Sequence, residues 1–164
     1  MIERFRAVLN GKPVEAEIDS RALLIEAVRD CGARGARIGC LTGDCGACSI
    51  VLDGRLVKSC LVLAVSAEGS DIVTIEGSRH AIADELRDAF VACSGFQCGY
   101  CTSGMIMVAI DLLQANPSPT EADIRRAVSG NLCRCTGYED IVRAIGQAAE
   151  ALRNKCTGKA ENGG

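Results

Sequence analysis

The chain has 164 residues, a formal net charge of -3, 48% hydrophobic and 24% charged residues. That length suits one ordinary domain or two small ones, and the acidic balance argues against the basic face of a nucleic-acid binder. No apolar run reaches the roughly 18 residues that a membrane helix needs.

Aromatic residues make up 3%, with no Trp, so the core must be largely aliphatic. A small domain short of large side chains gains from a metal staple. The first residues, "MIERFRAVLNGKPVEAEI", carry charges from the third position and no apolar signal core, which sets the expectation of a cytoplasmic protein. In a reducing compartment the eleven cysteines are expected to serve as metal ligands rather than disulfides.

The first half reads as β-structure with one helix. In "FRAVLNGKPVEAEI" the Asn10-Gly11 pair signals a two-residue hairpin turn, and Val14, Ala16 and Ile18 alternate. Ser20 is expected to cap a helix with the apolar stripe Leu23, Leu24, Ala27, Val28 and Cys31, stopped by Gly32. A glycine-rich loop follows through Cys48. "SIVLDGRLV" predicts a second hairpin turning at Asp53-Gly54, Cys60 to Glu68 fits a strand or a short helix, and "DIVTIEG", Asp71 to Gly77, predicts a last strand.

The second half reads as four helices. "AIADELRDAFVAC" places Ile82, Leu86, Phe90 and Val91 on one face, and "SGMIMVAIDLLQAN" is strongly apolar and ends at "NPSP". Thr120 opens "TEADIRRAVSG" with Asp123 three residues on, as in a capping box, and Gly130 ends it. "EDIVRAIGQAAEALR" is the fourth helix. The tail from Cys156 lacks apolar residues and is expected to be disordered. The resulting division is residues 1–77, 78–155 and a tail at 156–164. Its helical part repeats one plan twice, a helix, a cysteine loop and a helix.

Cys40, Cys45 and Cys48 have the spacing C-x4-C-x2-C, and Cys60 follows at the end of the second hairpin. This is the plant-type ferredoxin pattern for a 2Fe-2S cluster. A loop around a cluster must aim several thiolates inward and turn amide groups toward anionic sulfur; Gly39, Gly43 and Gly46 permit the dihedrals this needs. "CGAC" alone would equally suit a redox dithiol or half a zinc site. The second set is Cys98, Cys101, Cys133 and Cys135, in C-x2-C and C-x-C loops. If the four helices pack antiparallel, both loops meet at one end, and each leads into a helix N-terminus that favours an anionic group. Four-cysteine zinc stays open for this set on spacing alone. Cys31 and Cys93 read as small apolar residues, Cys156 as idle and His80 as a surface residue. "GARGAR", Gly32 to Arg37, has neither the spacing nor the context of a dinucleotide fingerprint. No acid–base pair or nucleophile stands out.

"GCLTGDCGACSIVLDG…VKSC" together with "QCGYCTSGMIM…NPSPTEADIRRAVSGNLCRCTGYEDIVRAI" resembles the small iron–sulfur subunit of the molybdenum hydroxylases, the family of xanthine dehydrogenase, aldehyde oxidoreductase and aerobic carbon monoxide dehydrogenase. The resemblance spans about residues 3–152. It implies an α+β chain: an N-terminal β-grasp plant-type ferredoxin domain, then an all-α four-helix domain, each with one 2Fe-2S cluster. It also implies a large subunit with a molybdopterin-type molybdenum cofactor and a medium FAD subunit, assembled as a dimer of heterotrimers. Electrons would pass from molybdenum to the helical cluster, then the ferredoxin cluster, then FAD. Gln97 and Cys135 match the positions that approach the pterin, and Ser103 stands where many relatives have Pro. A free-standing two-cluster carrier and a zinc-stapled interaction module are the competing readings.

Overall fold

The computed structural model describes residues 1–158. Two hairpins and a short strand build the first half. Strands β1 (Ile2–Leu9) and β2 (Lys12–Asp19) pair antiparallel with Leu9 opposite Lys12. Asn10 and Gly11 both take positive φ, 53° and 75°, the mirror-image turn that matches strand twist. Strands β3 (Ser49–Leu52) and β4 (Arg55–Lys58) repeat this through Asp53 and Gly54, with φ of 47° and 78°. Strand β5 (Asp71–Val73) lies parallel to β1 and antiparallel to β3, giving the sheet order β2-β1-β5-β3-β4. Helix α1 (Leu24–Asp30) packs Leu24, Ile25, Ala27 and Val28 against Phe5, Leu9, Ile18, Ile50 and Ile72. This mixed sheet clasping one helix is the β-grasp arrangement that the resemblance implied.

Three details of the first half differ from or sharpen the sequence reading. Ser20 does not cap α1. Leu23 stays extended and the helix begins only at Leu24, because Leu24 N–H donates to Val62 O at 2.8 Å and Ala64 N–H to Ala22 O at 2.8 Å. The cap is instead the Glu26 carboxylate, which accepts from Leu23 N–H at 2.8 Å. The span from Cys60 to Glu68 becomes two 3-10 turns, Ser59–Leu61 and Ala64–Ala67, on either side of a bridge between Leu63 and Leu23. The last strand stops at Val73 rather than Gly77, since the Asn10 side chain captures Thr74 N–H at 2.8 Å and pulls the chain off the ladder.

The second half contains α2 (Ala81–Ala92), α3 (Thr102–Ala115), α4 (Glu121–Val128) and α5 (Glu139–Gly158). Thr120 caps α4 with the expected reciprocal pair, Asp123 N–H to Thr120 Oγ1 at 3.2 Å and Thr120 N–H to Asp123 Oδ2 at 3.0 Å. On α2 the buried stripe is Ala83, Leu86, Ala89 and Phe90. Val91 lies about 100° round from Phe90 and is exposed, contrary to the sequence assignment. Helix α3 is buried nearly all round because it lies between the sheet on one side and α2 and α4 on the other. Helix α5 continues through Gly158, into the tail read as disordered; residues 159–164 and the Cys156 side chain lie outside the described residues. Among the described residues no helix is long and apolar enough to cross a membrane.

Candidate metal centres

The loop from Gly39 to Cys48 wraps inward through three left-handed residues, Leu41, Gly43 and Gly46, at φ of 61°, 86° and 68°. This curl turns amides onto sulfur. Thr42 N–H and Cys45 N–H both donate to Cys40 Sγ at 3.4 Å, and Gly43 N–H faces Cys60 Sγ. Ser59 fixes the fourth thiol, donating from its hydroxyl to Cys48 O at 2.7 Å. The thiols stand in two pairs. Cys40 and Cys45 form a half-buried outer pair, Cys48 and Cys60 a buried inner one.

The helical loops repeat this plan. Helices α2 and α5 run side by side, and α3 packs on both α2 and α4, so the two loops meet. Cys98 and Cys135 stand 3.6 Å apart at the surface. Buried Cys101 donates to half-buried Cys133. The C-x-C loop is braced by Tyr138, whose hydroxyl accepts from Cys133 N–H at 2.9 Å and donates to Asn131 O at 3.1 Å. Gln97 is exposed beside Cys98. Helix α3 starts cleanly with Ser103 in its first turn, Met105 N–H donating to Cys101 O at 3.0 Å.

Among the described residues no three His, Cys, Asp or Glu side chains converge as they would on one metal ion. Each set offers two pairs of thiols instead, the layout that suits two irons of one cluster held by four thiolates. A second feature fits a sulfur-rich group. The Thr102 and Ser103 hydroxyls, directly after Cys101, are buried without a partner among the described residues. Buried hydroxyls of this kind ordinarily find an acceptor.

The two sets share a seam. Leu132 N–H donates to Cys45 O at 2.9 Å, joining the two cysteine loops backbone to backbone. Asn131, 2% exposed, donates from Nδ2 to Gly46 O at 3.3 Å. Tyr100, inside the C-x2-C motif, donates to Ile38 O at 2.6 Å and lies under the Arg37 guanidinium, 5.3 Å from the ring centre. Gly104 of α3 lets the Gly46 carbonyl approach to where a Cβ would sit 2.3 Å from it. The sequence reading named none of Asn131, Tyr100 and Gly104. Only the lone glycine inside an apolar helix was a local sign of close packing.

Proton affinities differ sharply within each set. Cys40 is drawn down to about 6 by the Thr42 hydroxyl, which it shares with Asp44, and by the Cys45 and Thr42 amides. Burial and then the Cys48 thiol push Cys60 up to about 11, and burial and then Cys133 push Cys101 up to about 12. The Tyr100 amide lowers Cys98, while Cys135 is raised by its bond to Cys98. In a chain stripped of metal, a short alkylation pulse at pH 7 should therefore mark Cys40 ahead of Cys60 and Cys101, because the thiolate is the nucleophile. Labelling of Cys40 should slow about tenfold per unit of pH once the pH falls below about 6, as its thiolate is protonated. Peptide mapping by mass spectrometry reads the order; Cys101 marked as fast as Cys40 would contradict it.

Comparison with known proteins follows the same division. A 2Fe-2S iron-sulfur cluster binding domain model matches residues 7–73, and a 2Fe-2S binding domain model matches residues 74–146. The nicotine 6-hydroxylase small subunit of Paenarthrobacter nicotinovorans is 43% identical over 148 residues, 90% of each chain. The nicotinate dehydrogenase small FeS subunit of Eubacterium barkeri is 40% identical over 148 residues, 89% of this chain and 94% of that one. Among solved structures, quinoline 2-oxidoreductase from Pseudomonas putida 86 superposes with a TM-score of 0.85 at 44% identity, covering 93% of this chain and 97% of that one. Aldehyde oxidoreductase from Desulfovibrio gigas superposes at 0.82 and 36% identity, over 93% of this chain and 17% of a much longer one.

Proposed function

This chain belongs to the iron–sulfur small subunits of the molybdenum hydroxylases, electron-transfer components of multi-subunit oxidoreductases, and on that premise we propose which of its residues carry the electrons and in what order. Cys40, Cys45, Cys48 and Cys60 hold one 2Fe-2S cluster, and Cys98, Cys101, Cys133 and Cys135 hold the other. When bound, each cluster supplies one-electron redox chemistry. The observation behind this assignment is the pairing of thiols, an outer and an inner pair in each set, with the two loops joined across one seam.

The exposed Cys98/Cys135 edge, with Gln97 beside it, is the entry point and lies against the pterin of a large molybdenum subunit. Gln97 contributes a polar contact there, and Cys135 both binds iron and faces the donor. The half-buried Cys40/Cys45 edge, ringed by exposed Leu41 and Leu61, is the exit toward a medium FAD subunit. The seam through Leu132 and Asn131 holds the two edges at fixed separation, and the inner thiols Cys48, Cys60 and Cys101 are buried away from water. The working form is a cytoplasmic dimer of heterotrimers. The relatives that support this reading act on nicotine, nicotinate and other substrates by name, and the substrate pocket belongs to the partner chain.

The test is composition of the natively purified protein. The chain should co-purify with two larger subunits, one carrying molybdenum and one FAD. It should carry about four irons at two per cluster, with matching labile sulfide and no zinc. About two irons with one zinc would overturn the helical cluster, and a chain that purifies alone with both clusters would favour a free carrier.

A further inference from the structure

A lysine ammonium bridges the two cysteine loops on the seam between the thiol sets. Lys58, the last residue of β4, directs Nζ to Gly43 O at 2.5 Å and to Gly130 O at 3.0 Å. Gly43 lies between Cys40 and Cys45, and its own amide faces Cys60. Gly130 precedes the loop carrying Cys133 and Cys135. Lys58 is itself two residues from Cys60. Both bonding partners are neutral carbonyls, and among the described residues no carboxylate pairs with it, so the ammonium charge is not cancelled at short range.

From this placement we infer that Lys58 sets the electrical bias between the two centres, holding the ferredoxin-side centre at the higher potential so that electrons settle there before leaving. The inference rests on the proposed two-cluster reading and deepens it. Reduction adds one negative charge to a centre already surrounded by thiolates. A fixed cation favours that state, and its effect falls with distance. Net charge and hydrogen bonds are among the features that set such potentials. Lys58 makes its shorter bond to the Cys40–Cys45 loop and is tied by the chain to Cys60, whereas its link to the helical set runs through Gly130, three residues before Cys133. The charge therefore lifts the ferredoxin-side centre more. The same two bonds hold the loops together, so position and bias come from one side chain.

The experiment is a redox titration of the assembled complex, with each cluster's spectroscopic signal followed separately in Lys58→Met, Lys58→Gln and Lys58→Arg. Met keeps the apolar stem and removes charge and donors; Gln keeps a donor without the charge; Arg keeps the charge. Met and Gln should lower the reduction equilibrium of the ferredoxin-side centre about tenfold, about 59 mV for one electron. The helical centre should move by clearly less. Arg should stay near the parent protein, which a purely structural tie would not require of charge alone. If Met loses a cluster, Gln carries the measurement. Two normal signals with unmoved potentials in Met and Gln, or a larger shift at the helical centre, would overturn the inference alone. A parent protein lacking two cluster signals would overturn the two-cluster reading and the inference with it.

Discussion

Replacing Cys45 with Ser is expected to halve the iron content, from about four to about two per chain at two per cluster, and to erase the ferredoxin-side signal while the helical one persists. Cys45 belongs to the outer pair with Cys40, donates its amide to Cys40 Sγ, and offers its carbonyl to Leu132. Serine preserves both backbone bonds and removes only the sulfur. Any loss then reports the ligand and not the loop. With the ferredoxin-side centre as the proposed exit toward FAD, turnover with the natural acceptor should collapse to background, while substrate should still reduce the helical centre. Cys31→Ser supplies the contrast. Cys31 caps the end of α1, half-buried among the apolar residues of the sheet core, and burial raises its thiol. Both clusters should survive there, with a stability cost of about 1 kcal/mol, the centre of point-mutant effects. Retention of both signals in Cys45→Ser, or loss of either in Cys31→Ser, would show the ligands to be wrongly assigned.

What the sequence displayed was local. The hairpin turns at Asn10-Gly11 and Asp53-Gly54 depend on two adjacent residues that tolerate positive φ, and the Thr120–Asp123 cap on two residues three apart. The cysteine spacings are likewise short patterns, and the structure brings these thiols together in pairs, Cys40 with Cys45, Cys48 with Cys60, Cys98 with Cys135 and Cys101 with Cys133. What stayed hidden joins distant segments. Strand β5 ends early because of Asn10, sixty-four residues away. Ser20 loses the role of cap because residues 22–24 are held by residues 62–64. The seam links 58 with 130, 46 with 131 and 45 with 132, and no periodicity records such pairings. No local pattern singles out Lys58 or Asn131. Only their three-dimensional neighbours show one as a cation between carbonyls and the other as a buried tie.

The seam also predicts opposite outcomes for the same substitution at two helical glycines. In an exposed or roomy helix position, Gly→Ala stabilises by roughly 0.5–1 kcal/mol, since alanine has less backbone freedom to lose. Gly146 in α5 is such a place, where an added Cβ would meet only Ile124 Cδ1 at 3.8 Å. Gly146→Ala should raise the melting temperature by about 2–4 °C per kcal/mol for a chain of this size. At Gly104 the helical gain is the same, but the Cβ would stand 2.3 Å from Gly46 O, 3.0 Å from Asn131 Nδ2 and 3.1 Å from Ala47 Cα. Two of these are backbone atoms of the ferredoxin loop, which cannot swing aside as a flexible side chain does. Overpacking of this kind costs about 1–3 kcal/mol, more than the helical gain. Relief requires α3 and the loop to part, and that separation strains Asn131 Nδ2 to Gly46 O and Leu132 N–H to Cys45 O together. No thiol is touched, so both clusters should assemble. Their magnetic interaction when both are reduced should weaken, since it depends on the spacing the seam fixes. Thermal loss of the cluster absorbance and the spectrum of the fully reduced protein, compared across the two variants, read these effects. A Gly104→Ala protein as stable as Gly146→Ala, with an unchanged interaction, would mean that the seam yields without cost and does not set the distance between the centres.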